Sequence, residues 1–210
     1  MWTRRGLVGA ALLAIILVPF ALFGGALDEA VTPWLEQAEP VAFALGSAGL
    51  LAADFALPVP SSVVATAAGG RLGLGAGLVV VFVGLQLGCA MAWAVGRWGG
   101  APAIDRLVDP IEQERARRWS SGRGGLAFLA VSRAVPVLGE ATTLLAGSMR
   151  MPFARYFAVT AAANAGLGLA YAGIGALSSH AGSIALLVAG AIAPPVIAIA
   201  VLGRATASRR

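Results

Sequence analysis

Four stretches of the chain, 7–27, 74–95, 153–177 and 183–202, are almost unbroken runs of apolar residues. A bilayer's hydrocarbon core of ~30 Å needs roughly 20 helical residues, so each run is long enough to cross. The runs are continuous and do not alternate with polar residues, which predicts helices and not the strands of a membrane barrel. Two further apolar segments, 41–72 and 125–149, are interrupted. In the first, Asp54 is followed by Leu57-Pro58-Val59-Pro60-Ser61-Ser62; in the second, Arg133 is followed by Val135-Pro136-Val137-Leu138-Gly139-Glu140. Proline lacks an amide donor and pushes the preceding residue toward extended backbone. Pro58, Pro60, Pro136 and Gly139 therefore mark expected helix breaks, leaving limbs of about ten residues, ~15 Å long, on either side. Such limbs reach about halfway across a bilayer, and each segment is expected to form a re-entrant hairpin.

The two interrupted segments match one another at an offset of 78 residues. Ala56 pairs with Ala134, Pro58 with Pro136, Val59 with Val137, Ala68 with Ala146 and Gly69 with Gly147; the register continues through Val81 with Val159, Gly88 with Gly166, Ala92 with Ala170 and Ala94 with Ala172. A duplicated unit of broken hairpin plus one span is expected. Because the single span 74–95 separates the copies, they would enter from opposite faces as an inverted repeat, with two helix breaks meeting near the midplane around a cavity.

The predicted fold class is thus an all-α polytopic membrane protein forming one domain over 1–210: four transmembrane helices plus two Pro-broken re-entrant hairpins. Composition agrees, since 59% of the 210 residues are hydrophobic and 12% charged, against about a quarter charged in soluble domains. The net charge of +5 comes from 15 basic residues, all Arg. On the expected topology, Arg4, Arg5, Arg97, Arg106, Arg115, Arg117, Arg118, Arg123, Arg150, Arg155, Arg204, Arg209 and Arg210 share one side. Arg71, Asp28, Glu29, Glu36, Glu39 and His180 share the other. This positive-inside bias places both termini in the cytoplasm of an inner or plasma membrane protein. It explains the basic balance without nucleic acid, for which no motif is present. The segment 99–124 is a charged cytoplasmic loop with a short surface helix. Residues 1–27 read as a retained signal anchor, given the length of the apolar run.

One cysteine, Cys89, and one histidine, His180, leave no intrachain disulfide and no metal cluster to build. No Ser/His/Asp set, P-loop or Rossmann glycine pattern occurs, so neither an enzyme nor a cofactor is expected. Asn164 reads as an interhelical hydrogen-bonder, and small residues four apart, such as Gly84 with Gly88, as close helix packing. Three ionisable residues fall inside the broken segments: Asp54, Arg133 and Glu140. A charge near the bilayer centre costs roughly 2.5–3.5 kcal/mol even on the lenient insertion scale, so each is a candidate functional group. Arg133 keeps its charge and offers a planar fork of donors suited to a phosphate or carboxylate. Asp54 and Glu140 are candidates for proton coupling, or for a structural ion pair with Arg133. Ser61, Ser62, Thr142 and Thr143 sit where they can donate to carbonyls freed at the breaks, and helix N-termini there favour an anion.

These residues resemble the DedA family, also called the VTT or SNARE-associated membrane domain. LPVPSSVVATAAGG (57–70) is similar to its first re-entrant motif, ending Pro-x-Pro-Ser-Glu before a small-residue helix. FLAVSRAVPVLGEATTLLAG (128–147) is similar to its second, Phe-x-x-x-Arg-x-x-Pro-x-x-Arg, with Phe128 one residue displaced and Arg133 and Pro136 in place. GCAMAWAVGRWGG (88–100) resembles the glycine-rich end of the intervening span. The chain departs from the pattern at Ser62, where the family has Glu, and at Gly139, where it has the second Arg. The resemblance covers about residues 42–177 and implies a flippase or scramblase moving a phosphate-bearing lipid, such as undecaprenyl phosphate or a phospholipid, with proton coupling. The alternatives are a proton- or ion-coupled carrier of a small anionic solute and a non-transporting membrane scaffold.

Overall fold

A computed structural model describes residues 38–57, 59–102, 105, 109–135 and 138–181. The expected spans 7–27 and 183–202, together with Pro58, Arg106 and Pro136, lie outside the described residues. Every regular element among the described residues is helical: α1 (Pro40–Ala53), α2 (Ser61–Val95), a π-helical turn (Gly96–Gly100), α3 (Pro110–Ser121), α4 (Arg123–Ser132), α5 (Leu138–Ser148) and α6 (Phe153–Ala181).

Within α2 the backbone departs from helical geometry at Gly73, whose φ of 77° and ψ of 170° are essentially restricted to glycine, and the chain reverses there. Residues eight apart in a straight helix are ~12 Å distant. Here a Cβ on Gly77 would meet the Ala68 carbonyl oxygen and the Gly69 Cα at 2.8 Å, so the limb 61–72 lies back against the arm 74–95. Further along the arm, Gly84 and Gly88 face the backbone of Ala48 and Ala52 of α1. α1 therefore runs parallel to the arm while the limb 61–72 runs antiparallel to it, and the two form a helical hairpin. The open ends of the hairpin meet where the Arg71 Nη2 donates to the Ala38 carbonyl at 2.7 Å, with the guanidinium 4.6 Å from the Phe43 ring centre.

The 22 residues of the arm 74–95 rise about 33 Å, and α6 packs antiparallel along it. Met151 meets Trp93, Tyr156 meets Cys89, and Gly168 faces Leu78 and Val81. Around this pair, a core that includes Val81, Leu85 and Tyr171 is accompanied by exposed apolar and buried polar side chains. Val79, Val83, Leu87, Met91 and Val95 form an exposed apolar stripe at four-residue spacing, whereas Gln86, Thr160 and Asn164 are buried. Lipid covers such a stripe at no cost, while polar side chains turn inward to find partners.

The packing repeats at the offset seen in the sequence. Gly69 is pressed against the backbone of Ala172, and Gly147 against the backbone of Trp93 and Arg97. Gly175 faces Thr66 and Gly70, while Gly96 faces Leu144 and Ser148, the positions 78 residues on from Thr66 and Gly70. Each limb thus crosses the long helix of the opposite half. The polar segment after the π-helical turn is tied to the turn before α6 by Asp105, which pairs with Arg117 at 3.7 Å and with Arg150.

Candidate functional site

The breaks between α1 and α2 and between α4 and α5 carry the charges of the two interrupted segments, Asp54, Arg133 and Glu140. Asp54 caps the C-terminus of α1, and Pro60 is the N-cap of α2, with Ser61 and Ser62 in its first turn. Arg133 caps the C-terminus of α4, where its charge complements the helix dipole. Gly139, expected at a break, lies instead in the first turn of α5, with its amide donating to the Val135 carbonyl at 3.0 Å; the interruption precedes it. Glu140 follows in the same turn, where a carboxylate is favoured.

These residues meet. A cavity of about 70 Å³ is lined by Asp54, Ser61, Ser62 and Ala65 from the first half, Arg133, Ala134 and Glu140 from the second, and Leu85, Leu167 and Tyr171 from the long helices. A smaller void of about 10 Å³ adjoins it and shares Asp54, Arg133 and Glu140. One water needs roughly 10–15 Å³ on this measure, so the larger cavity has room for several waters or a small polar group. Two helix N-termini, those of the limb 61–72 and of α5, open on it, and their partial positive charge adds to that of Arg133.

Only 7% of the Arg133 side chain is exposed, against 24% for Glu140. The two lie 3.8 Å apart, an ion pair too long to be a hydrogen bond. The Arg133 Nε donates to the Asn164 Oδ1 at 3.2 Å. Asp54 stands in electrostatic range of both Arg133 and Glu140, and its carboxylate is faced by the Ser61 hydroxyl and the Val59 amide. Thr142 and Thr143 donate to the Gly139 and Glu140 carbonyls in the first turn of their own helix, at 2.9 and 2.7 Å. Ser132 joins α4 to α5 through the Thr142 hydroxyl at 2.8 Å.

Behind Arg133 runs a buried polar chain that the sequence reading missed apart from Asn164. The Asn164 Nδ2 donates to the Gln86 Oε1 at 2.9 Å. The Gln86 Nε2 in turn donates to the Thr160 hydroxyl at 3.1 Å and the Phe157 carbonyl at 3.2 Å. Gln86 is the one amide side chain in the run 74–95, a signal of the same kind that singled out Asn164. The two are also each other's equivalents at the 78-residue offset.

Residues 59–177 match the VTT domain. The chain is 25% identical over 147 residues to undecaprenyl phosphate transporter A of Bacillus subtilis (strain 168), covering 65% of this chain and 70% of that one. It is 27% identical over 117 residues to a protein of Synechocystis sp. titled uncharacterized membrane protein slr0232, covering 51% of this chain and 54%, about half, of that relative's length. No solved structure matches. With the VTT match covering more than half of its length, and with membrane proteins of bacteria as its relatives, this chain belongs to the VTT domain, or DedA, family of integral membrane proteins.

Proposed function

We propose that the protein moves a phosphate-bearing lipid across the bilayer, with Arg133 holding the phosphate in the cavity between the hairpin tips while the acyl or prenyl tail stays in the membrane. The observation that carries this reading is a nearly buried guanidinium, facing a small polar cavity, with donors to spare. Its Nε is engaged by Asn164, and Glu140 stands beyond hydrogen-bond length from Nη1. A phosphate fits the remaining fork bidentately, and Ser61 and Ser62 supply further donors.

In this reading the segments 41–72 and 125–149 are re-entrant hairpins related by inversion, the runs 7–27, 74–95, 153–177 and 183–202 span the membrane, and both termini are cytoplasmic. The Arg71 tie across the open end of the first hairpin and the recurrence of helix crossings at an offset of 78 support that arrangement. Asp54 and Glu140 serve as proton acceptors coupled to loading of Arg133. The relative from Bacillus subtilis, a transporter of undecaprenyl phosphate by name, supports a lipid phosphate as the substrate class.

The test is reconstitution into liposomes with fluorescently labelled phosphatidic acid, comparing wild type with Arg133→Ala at matched folded amounts. A hydrogen-bonded charge is worth about 1.5–3 kcal/mol, so transport below saturation should fall at least about tenfold. Equal rates would refute the assignment. Repeating the measurement with an imposed pH gradient should change the rate in wild type and not in a protein carrying Asp54→Asn and Glu140→Gln.

A further inference from the structure

Arg133 is one member of a polar chain whose hydrogen bonds all run in one direction. The Arg133 Nε donates to the Asn164 Oδ1, Asn164 donates to the Gln86 Oε1, and Gln86 donates to Thr160 and to the Phe157 carbonyl. The Thr160 hydroxyl ends the chain on the Tyr156 and Phe157 carbonyls, both at 3.1 Å. Asn164 and Thr160 are wholly buried and Gln86 is 5% exposed. Asn164 therefore has no freedom to turn its amide over. Doing so would set its NH₂ against the guanidinium Nε–H and its oxygen against the Gln86 Oε1, leaving buried polar groups unpaired.

Asn164 supplies the hydrogen bond made to the guanidinium by another side chain among the described residues, since Glu140 is too far for one. The guanidinium is planar, so fixing Nε and the attached chain fixes the orientation of the whole fork. We propose that Asn164, oriented by Gln86, is the positioning residue that aims the Arg133 fork into the cavity and so sets affinity for the transported phosphate. This rests on Arg133 being the phosphate contact. Gln86 acts at one remove, on a different helix from both, and joins the arm 74–95 to the phosphate site.

The experiment measures transport of labelled phosphatidic acid in liposomes as its mole fraction is varied, for wild type, Asn164→Leu, Gln86→Leu, Arg133→Ala and the doubles Asn164→Leu/Arg133→Ala and Gln86→Leu/Arg133→Ala. Asn164→Leu should raise the apparent KM about tenfold, with a smaller fall in the saturating rate, and Gln86→Leu should shift KM in the same direction by less. In the Arg133→Ala background neither change should raise KM further, because both act through the guanidinium. A rise of the same factor with and without Arg133, or a KM unmoved by Asn164→Leu while Arg133→Ala raises it, would overturn the positioning role. An apparent KM unchanged by Arg133→Ala itself would instead sink the phosphate assignment on which the role depends. Should Asn164→Leu not yield monodisperse protein, the Gln86→Leu pair carries the same comparison, since Gln86 reaches Arg133 through Asn164 and not by a hydrogen bond of its own; a KM unmoved by it overturns the proposal.

Discussion

Adding a methyl group to the glycines where each limb crosses the opposite long helix tests the architecture at two equivalent points. A Cβ on Gly147 would stand 2.9 Å from both the Arg97 amide nitrogen and the Trp93 carbonyl carbon, and nearer still to the Trp93 oxygen. On Gly69 it would overlap the carbonyl of Ala172. Ordinary contact begins at 3.4 Å, so α5 and the long helix must separate by at least about 0.5 Å at Gly147. Backbone, not a flexible side chain, has to yield. Overpacking of this kind costs ~1–3 kcal/mol, while Ala gains ~1 kcal/mol over Gly in helix propensity. Gly49 and Gly166 are helical glycines with nothing within 4 Å of a built Cβ, so substitution there keeps the propensity gain alone. Gly69→Ala and Gly147→Ala should therefore lie about 1–3 kcal/mol below Gly49→Ala and Gly166→Ala, read as melting temperatures of the purified protein in one detergent. If all four alanine variants melt together, the crossings are not backbone contacts and the packing described for both halves is wrong.

Gly73→Ala should destabilise by about 1–3 kcal/mol through its positive φ alone, since no atom lies within 4 Å, whereas Gly75→Ala in equally open surroundings should be neutral or stabilising; the same melting assay decides. Arg71→Ala removes the bond to the Ala38 carbonyl and the contact with Phe43, together worth about 1–2 kcal/mol, and faster amide exchange confined to α1 and the limb 61–72 is the expected signature. On α3, the Arg118 hydrogen bond and charge hold the Glu114 carboxyl below its ordinary value. A depressed carboxyl contributes to helix order above the ordinary pKa and loses that contribution as pH falls through the lowered one. Arg118→Ala should raise the Glu114 titration midpoint, observed by NMR, and a midpoint that stays put would contradict the pairing.

Helical structure across the apolar runs 74–95 and 153–177, the interruption of the segments between α1 and α2 and between α4 and α5, and the offset of 78 are legible in the sequence, because each is a property of spacing along the chain. The turn between a limb ending at 72 and an arm beginning at 74 follows from the expected hairpin; the positive φ of Gly73 that makes the turn and the backbone contact of Gly77 with Gly69 that closes it do not. Arg133 stands out as a cation in an apolar segment, but its hydrogen-bond partner does not. The sequence reading paired it with Asp54 or Glu140 by opposite charge. The structure sets Glu140 at ion-pair distance and gives the hydrogen bond to Asn164, a neutral side chain some thirty residues away, because the end of α4 abuts α6. Gln86 has the weakest signal relative to its place in the structure. A lone glutamine in a long apolar run is visible, but which helix it faces depends on the rotation of the arm, which the nearly uniform hydrophobicity of that run leaves undetermined.

The bond between Gln86 and Asn164 joins two positions that the 78-residue offset makes equivalent. A hydrogen bond has a donor end and an acceptor end, so a single one cannot treat equivalent partners alike. Where these matching positions touch through polar atoms, the halves differ. Asn164 donates there and so keeps its own oxygen for a cation, and the cation it meets is Arg133, whose counterpart in the first half is Phe55. The polarity of this amide pair thus accords with a cation at position 133 and an apolar ring at position 55, and the matching segments are chemically unequal on either side of that bond.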